Sequence, residues 1–95
     1  MKTALVTGAA RGIGLATTKQ FLAKGWRVVM VDWDTDELAI ASKDLSDTLA
    51  LAYDISQPDQ VEQIITETLA AFGQIDALVN NAGIADFGPI ADTDF

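Results

Sequence analysis

Thr7-Gly8-Ala9-Ala10-Arg11-Gly12-Ile13-Gly14 is the stretch that decides the fold of this 95-residue chain. The apolar run Ala4-Leu5-Val6 precedes it within a segment, 2–7, that reads as a buried strand. A helical pattern from Ile13 to Lys24 follows it and stops at Gly25, which suits the position after a helix end. A glycine turn between a strand and a helix brings backbone N–H groups together at the positive end of the helix dipole, where phosphate binds. In that context Gly8 permits the tight turn, Gly12 lets the backbone approach a pyrophosphate, and Gly14 lets the helix pack against the strand.

Outward from the turn, strand and helix patterns alternate. Trp26 to Val31 is a second strand, and its run Val28-Val29-Met30-Val31 suits a strand covered on both faces. Asp34 to Asp44 predicts a helix, and Thr48 to Tyr53 a third strand. Ser56-Gln57-Pro58-Asp59 predicts a helix start, with proline in the first turn and Ser56 and Asp59 at capping-box spacing. Val61, Ile64, Ile65, Thr68, Leu69 and Phe72 share one face of that helix, which Gly73 closes. Ile75 to Val79 is a fourth strand. This alternation predicts an α/β unit, a parallel sheet between two layers of helices. Each crossover should be right-handed, and the expected architecture is a doubly wound, Rossmann-like sheet of strand order 3-2-1-4.

Composition narrows the partners. Six basic residues against 14 acidic ones leave a net charge of −8, which disfavours nucleic acid and an anionic membrane surface. A phosphate must therefore be held locally, by backbone N–H groups. With no cysteine and no histidine, thiolate and imidazole metal sites are excluded, and the scattered acidic residues predict no metal site. No signal-peptide pattern and no long apolar span is visible, so the expected location is cytoplasmic.

The glycines are spaced Gly-x-x-x-Gly-x-Gly, one residue longer before the second glycine than the common dinucleotide fingerprint. This spacing after a threonine, with Asn80-Asn81-Ala82-Gly83 after the fourth strand, resembles the short-chain dehydrogenase/reductase family along the whole chain. The resemblance implies a nicotinamide dinucleotide cofactor and hydride transfer between it and a small-molecule carbonyl or secondary alcohol. Gly8, Arg11, Gly12, Ile13 and Gly14 then belong to the cofactor turn. Asp32 closes the second strand 18 residues after Gly14, where a carboxylate accepts hydrogen bonds from ribose hydroxyls and repels a 2′-phosphate. NAD is therefore expected over NADP, although Arg11 in the turn offers a 2′-phosphate a cation.

Trp33 has two readings, adenine contact or surface packing. Asp54, followed by Ile55, resembles the family residue that meets the adenine amino group, and reads equally well as a turn residue ahead of a helix. By resemblance, Asn81 steadies the sheet, while Asn80 and the backbone of Ala82 and Gly83 approach the ribose and nicotinamide.

The family's proton-transfer pair, Tyr-x-x-x-Lys on a helix, is absent from these residues. The sole tyrosine is Tyr53, with Gln57 four residues on, and its place in a strand reads as core. Pro89 to Phe95 reads as the opening of another helix, with Asp92 or Thr93 as its cap. Residues 1–95 are accordingly expected to be the N-terminal, cofactor-binding part of one domain, without catalytic residues and inactive alone. The whole protein is expected to be a homo-oligomer. A non-enzymatic dinucleotide-binding or assembly module is the alternative.

Overall fold

A computed structural model describes residues 1–81. The readings placed on Ala82, Gly83 and the segment from Pro89 lie outside these residues. The chain runs β1 (Thr3–Thr7), α1 (Gly12–Ala23), β2 (Arg27–Asp32), α2 (Thr35–Ser42), β3 (Thr48–Ala52), α3 (Pro58–Phe72) and β4 (Ala77–Asn80). The strands form one parallel sheet in the order β3-β2-β1-β4. The expected order is thus the observed one.

The continuous apolar runs are explained by alternation across two covered faces. Ala4, Val6, Val28 and Met30 point into one core with Leu38 of α2, against which Leu15, Phe21 and Leu22 of α1 pack. Leu5, Val29, Val31 and Leu51 point into the other core with Ile64 of α3. The chain first builds outward through β2 to β3, then returns to the far side of β1 as β4. With crossovers of one hand, that reversal is what places α3 on the opposite face from α1 and α2. It also makes the carboxyl ends of β1 and β4 the point where the winding reverses, and a crevice opens there in sheets of this kind.

Two local expectations change. The capping box does not form, because Ser56 turns back to Asp54 and the cap of α3 is Gln57, with Pro58 in the first turn. The apolar face of α3 is only partly covered. Ile64 and Thr68 are buried, whereas Val61, Ile65 and Leu69 on the flanking ridge stay exposed among the described residues. Leu78 of β4, the last strand of the described sheet, is half-exposed as well.

At the other end of the sheet, Asp76 ties the start of β4 to the start of β1. Its Oδ2 accepts from the Thr3 amide at 2.8 Å and from Gln74 Nε2 at 2.7 Å, and its own amide donates to Thr3 O. These bonds, that from Thr3 first, hold the Asp76 carboxyl below its ordinary value of 3.8, and Lys2 and the N-terminus add to the effect. A depressed carboxyl stabilises the fold above its unfolded value and stops doing so as pH falls through the folded one. Asp76→Asn should therefore melt below the unsubstituted protein at pH 7, and the gap should close as pH drops below about 4. Thermal melts across that range check this, and a gap independent of pH would contradict it.

Candidate functional site

The glycine turn is bound to the end of β2 through three consecutive residues. The Ala9 amide donates to Val31 O at 3.1 Å, and the Ala10 amide to Asp32 Oδ2 at 3.0 Å. Arg11 Nη2 meets Asp34 Oδ2 at 2.9 Å. Gly8 and Gly12 both take positive φ, 64° and 57°, which turns the chain sharply from β1 into α1. An ideal Cβ on Gly12 would meet nothing within 4 Å, so the backbone there faces open space. On Gly14 it would lie 1.9 Å from Gly8 O, so α1 sits against the turn at a distance only glycine allows. Within α1 the Leu15 amide bonds back to Arg11 O. The amides of Gly12, Ile13 and Gly14 precede it in the first turn, where N–H groups have no acceptor inside their own helix.

A cleft of about 540 Å³ opens at this end of the sheet, lined by Gly8, Arg11, Ile13, Gly14, Val31, Asp32, Trp33, Tyr53, Asp54, Ile55, Ser56 and Asn81. Of the residues singled out in the sequence, the fold therefore brings Gly8, Arg11, Ile13, Gly14, Asp32, Trp33, Asp54 and Ile55 to one crevice. Trp33 and Ile13 are strongly exposed at its rim, at 71% and 76%. Asp32 is buried, with its Oδ1 accepting from the Asp34 amide at 3.1 Å and its Oδ2 from Ala10. The same carboxylate thus shapes the turn and faces the cleft. Asp54 forms a small turn, with Oδ1 accepting from the Ser56 hydroxyl at 2.7 Å and the Ser56 amide at 2.9 Å. Those bonds, the hydroxyl's first, lower its carboxyl pKa and keep it an anion in the cleft wall.

Both asparagines are tied to β1 through Thr7, and the backbone bond from Asn81 is of the kind expected to steady the sheet. Thr7 Oγ1 donates to Asn80 Oδ1 at 2.8 Å, and the Asn81 amide donates to Thr7 Oγ1 at 3.0 Å. Asn80 is thus engaged in the β1–β4 seam, while Asn81 lines the cleft. The Asn81 Nδ2 is buried with no partner among the described residues. The parallel register sets Asn80 opposite Thr7.

Tyr53 lies half-buried just beyond β3, packs against the core of Leu5, Val29, Val31, Leu51 and Ile64 as expected, and also lines the cleft. Its hydroxyl donates to Glu67 Oε2, and that bond, with burial and the carboxylate charge behind it, raises the phenol pKa above 10.0. A phenol that holds its proton this firmly is unsuited to proton transfer near neutrality. Sequence reasoning also missed Ser56 as a lining residue, although its position beside Asp54 and Ile55 was a usable signal.

The residues present fit a dinucleotide. The turn at Gly8, the helix N-terminus at Ile13 and Gly14 and a buried carboxylate beside an apolar wall offer contacts for a pyrophosphate, a ribose and a flat ring. No group of three or more His, Cys, Asp or Glu that could hold a metal occurs among the described residues. No described helix is long and apolar enough to cross a membrane.

Comparison with known proteins agrees with this geometry. An uncharacterised oxidoreductase of Mycobacterium bovis is 43% identical over 86 residues, covering 87% of this chain and 35% of its own length. An NAD-dependent glycerol dehydrogenase of Listeria innocua is 41% identical over 85 residues, covering 88% of this chain and 34% of its own. The crystal structure of a 3-ketoacyl-(acyl-carrier-protein) reductase from Brucella melitensis complexed with NADH superposes with a TM-score of 0.83 at 40% identity. That match covers 87% of this chain and 35% of the reductase. The chain thus spans about a third of the length of these relatives. The family described as short chain dehydrogenase matches residues 2–95, and with the glycine turn, the sheet order and the cleft all of that kind, the chain belongs to the short-chain dehydrogenase family.

Proposed function

We propose that these residues are the cofactor-binding part of an NAD-dependent oxidoreductase acting on a small-molecule carbonyl or secondary alcohol. The observation that carries this reading is Asp32. It stands buried at the end of β2, in the wall of the cleft that the glycine turn opens. A carboxylate there offers acceptors to ribose hydroxyls and repels a 2′-phosphate, which favours NAD over NADP. The turn residues Gly8, Arg11, Gly12, Ile13 and Gly14 would hold the pyrophosphate through backbone N–H groups. Trp33, Asp54 and Ile55 would border the adenine. Ala82 and Gly83 would continue the site from Asn81 toward the nicotinamide, with Asn80 supporting them through Thr7.

When bound, the nicotinamide supplies the hydride acceptor or donor. The chain's own part is to bind and orient it. Residues 1–95 contain no Tyr-x-x-x-Lys, so the proton-transfer residues and the substrate pocket would lie in the remainder of the whole protein. Residues 1–95 are then the N-terminal part of one dinucleotide-binding domain. We place the whole protein in the cytoplasm as a homo-oligomer.

Trp33 offers the test, because an exposed indole at the cleft rim reports on nucleotide bound beside it. Titration of the full-length protein should quench its emission with NADH at least tenfold more tightly than with NADPH, a difference of about 1.4 kcal/mol. Tighter NADPH binding would overturn the NAD assignment, and no binding of either would overturn the oxidoreductase reading. Residues 1–95 alone should turn over no alcohol or carbonyl and should bind the nucleotide poorly.

A further inference from the structure

Among the described residues that line the cleft, Arg11 is the one basic side chain, set against Asp32 and Asp54. A guanidinium at the mouth of a nucleotide cleft is the group a 2′-phosphate would recruit. In this fold it is already engaged. Asp34 precedes α2 as its cap, and its Oδ1 accepts from the Glu37 amide at 3.1 Å. Its Oδ2 faces the other way and holds Arg11 at 2.9 Å. The Asp34 amide is in turn fixed on Asp32 Oδ1. Three links therefore set this carboxylate at one place between α2 and the glycine turn.

We infer that Asp34 is a positioning residue for cofactor discrimination, which draws Arg11 onto the start of α2 and so withholds it from an adenosine 2′-phosphate. The inference rests on the reading of the cleft as a nicotinamide dinucleotide site. It also resolves a conflict within that site, where Asp32 rejects the phosphate and Arg11 would attract it. With Asp34 in place, the cation is neutralised by a residue of this chain. A phosphate must break the pair and must also approach a second carboxylate. The Arg11 side chain is 61% exposed, so the pair alone is worth roughly a factor of two to five. Repulsion between Asp34 and the phosphate adds to it.

The test is Asp34→Asn in the full-length protein, with dissociation constants for NADH and NADPH read from Trp33 emission. Asparagine caps a helix as well as aspartate does, so α2 keeps its start and only the charge is lost. The ratio of the NADPH to the NADH constant should fall about fivefold, with most of the change in NADPH. In an Arg11→Ala background the same substitution should change the ratio clearly less, because the cation it releases is gone and only the relief of repulsion by Asp34 remains. An unchanged ratio, an equal weakening of both nucleotides, or the same change without Arg11 would each overturn the inference. Wild-type protein that prefers NADPH would instead overturn the NAD assignment, and the response of the ratio to Asp34→Asn would still decide the role of Asp34.

Discussion

Gly14→Ala should cost the fold about 3 kcal/mol or more, a large part of the roughly 5–15 kcal/mol that holds a domain together. The added Cβ would lie 1.9 Å from Gly8 O and 2.7 Å from Gly8 C. Both are backbone atoms of a turn fixed to β2, so neither can swing aside as a flexible side chain would. Relief requires α1 to lift from the turn, which opens the core around Leu15 and Leu22 and withdraws the helix N-terminus from the cleft. Nucleotide affinity should fall at least a hundredfold with the stability.

Gly12→Ala is the informative contrast. Its φ of 57° strains an L-residue by about 1–2 kcal/mol, but the Cβ meets nothing within 4 Å. On the proposed reading of the turn, the methyl would instead hinder the approach of the pyrophosphate to the backbone. Thermal melts and NADH titration of both variants should show Gly14→Ala as the stability defect and Gly12→Ala as chiefly the binding defect. The opposite ranking would remove the close approach of α1 as the reason for a glycine at position 14.

Asp32→Ala is expected to reverse or abolish the preference between the two nucleotides, moving the ratio of their dissociation constants by about ten- to a hundredfold. The lower figure corresponds to one lost hydrogen bond to a charged group, about 1.5 kcal/mol, and relief of the repulsion extends it. The substitution has a second effect that its position at a strand end does not suggest. The carboxylate accepts from the Ala10 and Asp34 amides, and the bond to Ala10 is buried. Leaving that amide without its acceptor should destabilise the turn by about 1–3 kcal/mol. NADH binding should therefore weaken more than the loss of ribose contacts accounts for. Asp32→Asn separates the two, since its amide oxygen can still accept from Ala10 while the repulsion of a phosphate is relieved. A variant whose ratio stays at the wild-type value would show that the carboxylate does not select between the nucleotides.

The parts legible in the sequence are those written in local pattern. Ala4-Leu5-Val6 and Val28-Val29-Met30-Val31 announced strands covered on both faces, and the sheet buries them so. The glycine turn and the carboxylate closing β2 are likewise local pattern, and both lie at the end of the sheet where the cleft opens. What was not legible depends on how elements meet. Nothing within the sequence pairs Arg11 with Asp34, 23 residues away, until β2 lies beside β1. The division between Asn80 and Asn81 follows from strand register, which fixes Asn80 opposite Thr7. Ser56 and Asp59 had capping spacing, but Asp54 Oδ1 accepts from the Ser56 amide that a capping box gives to Asp59, and the competing turn formed. Tyr53 had the composition of a core residue, and only the approach of Glu67 from α3 shows why its hydroxyl faces a partner.

The three links from Ala9, Ala10 and Arg11 to Val31, Asp32 and Asp34 have a consequence for how this segment tolerates change. Surface loops ordinarily accept insertions and deletions readily, because closing a slightly longer loop costs little entropy. Here Ala9 and Ala10 are matched to the end of β2 and Arg11 to the cap of α2, so adding or removing one residue misaligns all three at once. The two amide links use backbone donors, but Ala9 and Ala10 are buried in the core between the sheet and its helices, so their size is limited as well as their number. The three residues between Gly8 and Gly12 therefore act as a measured length.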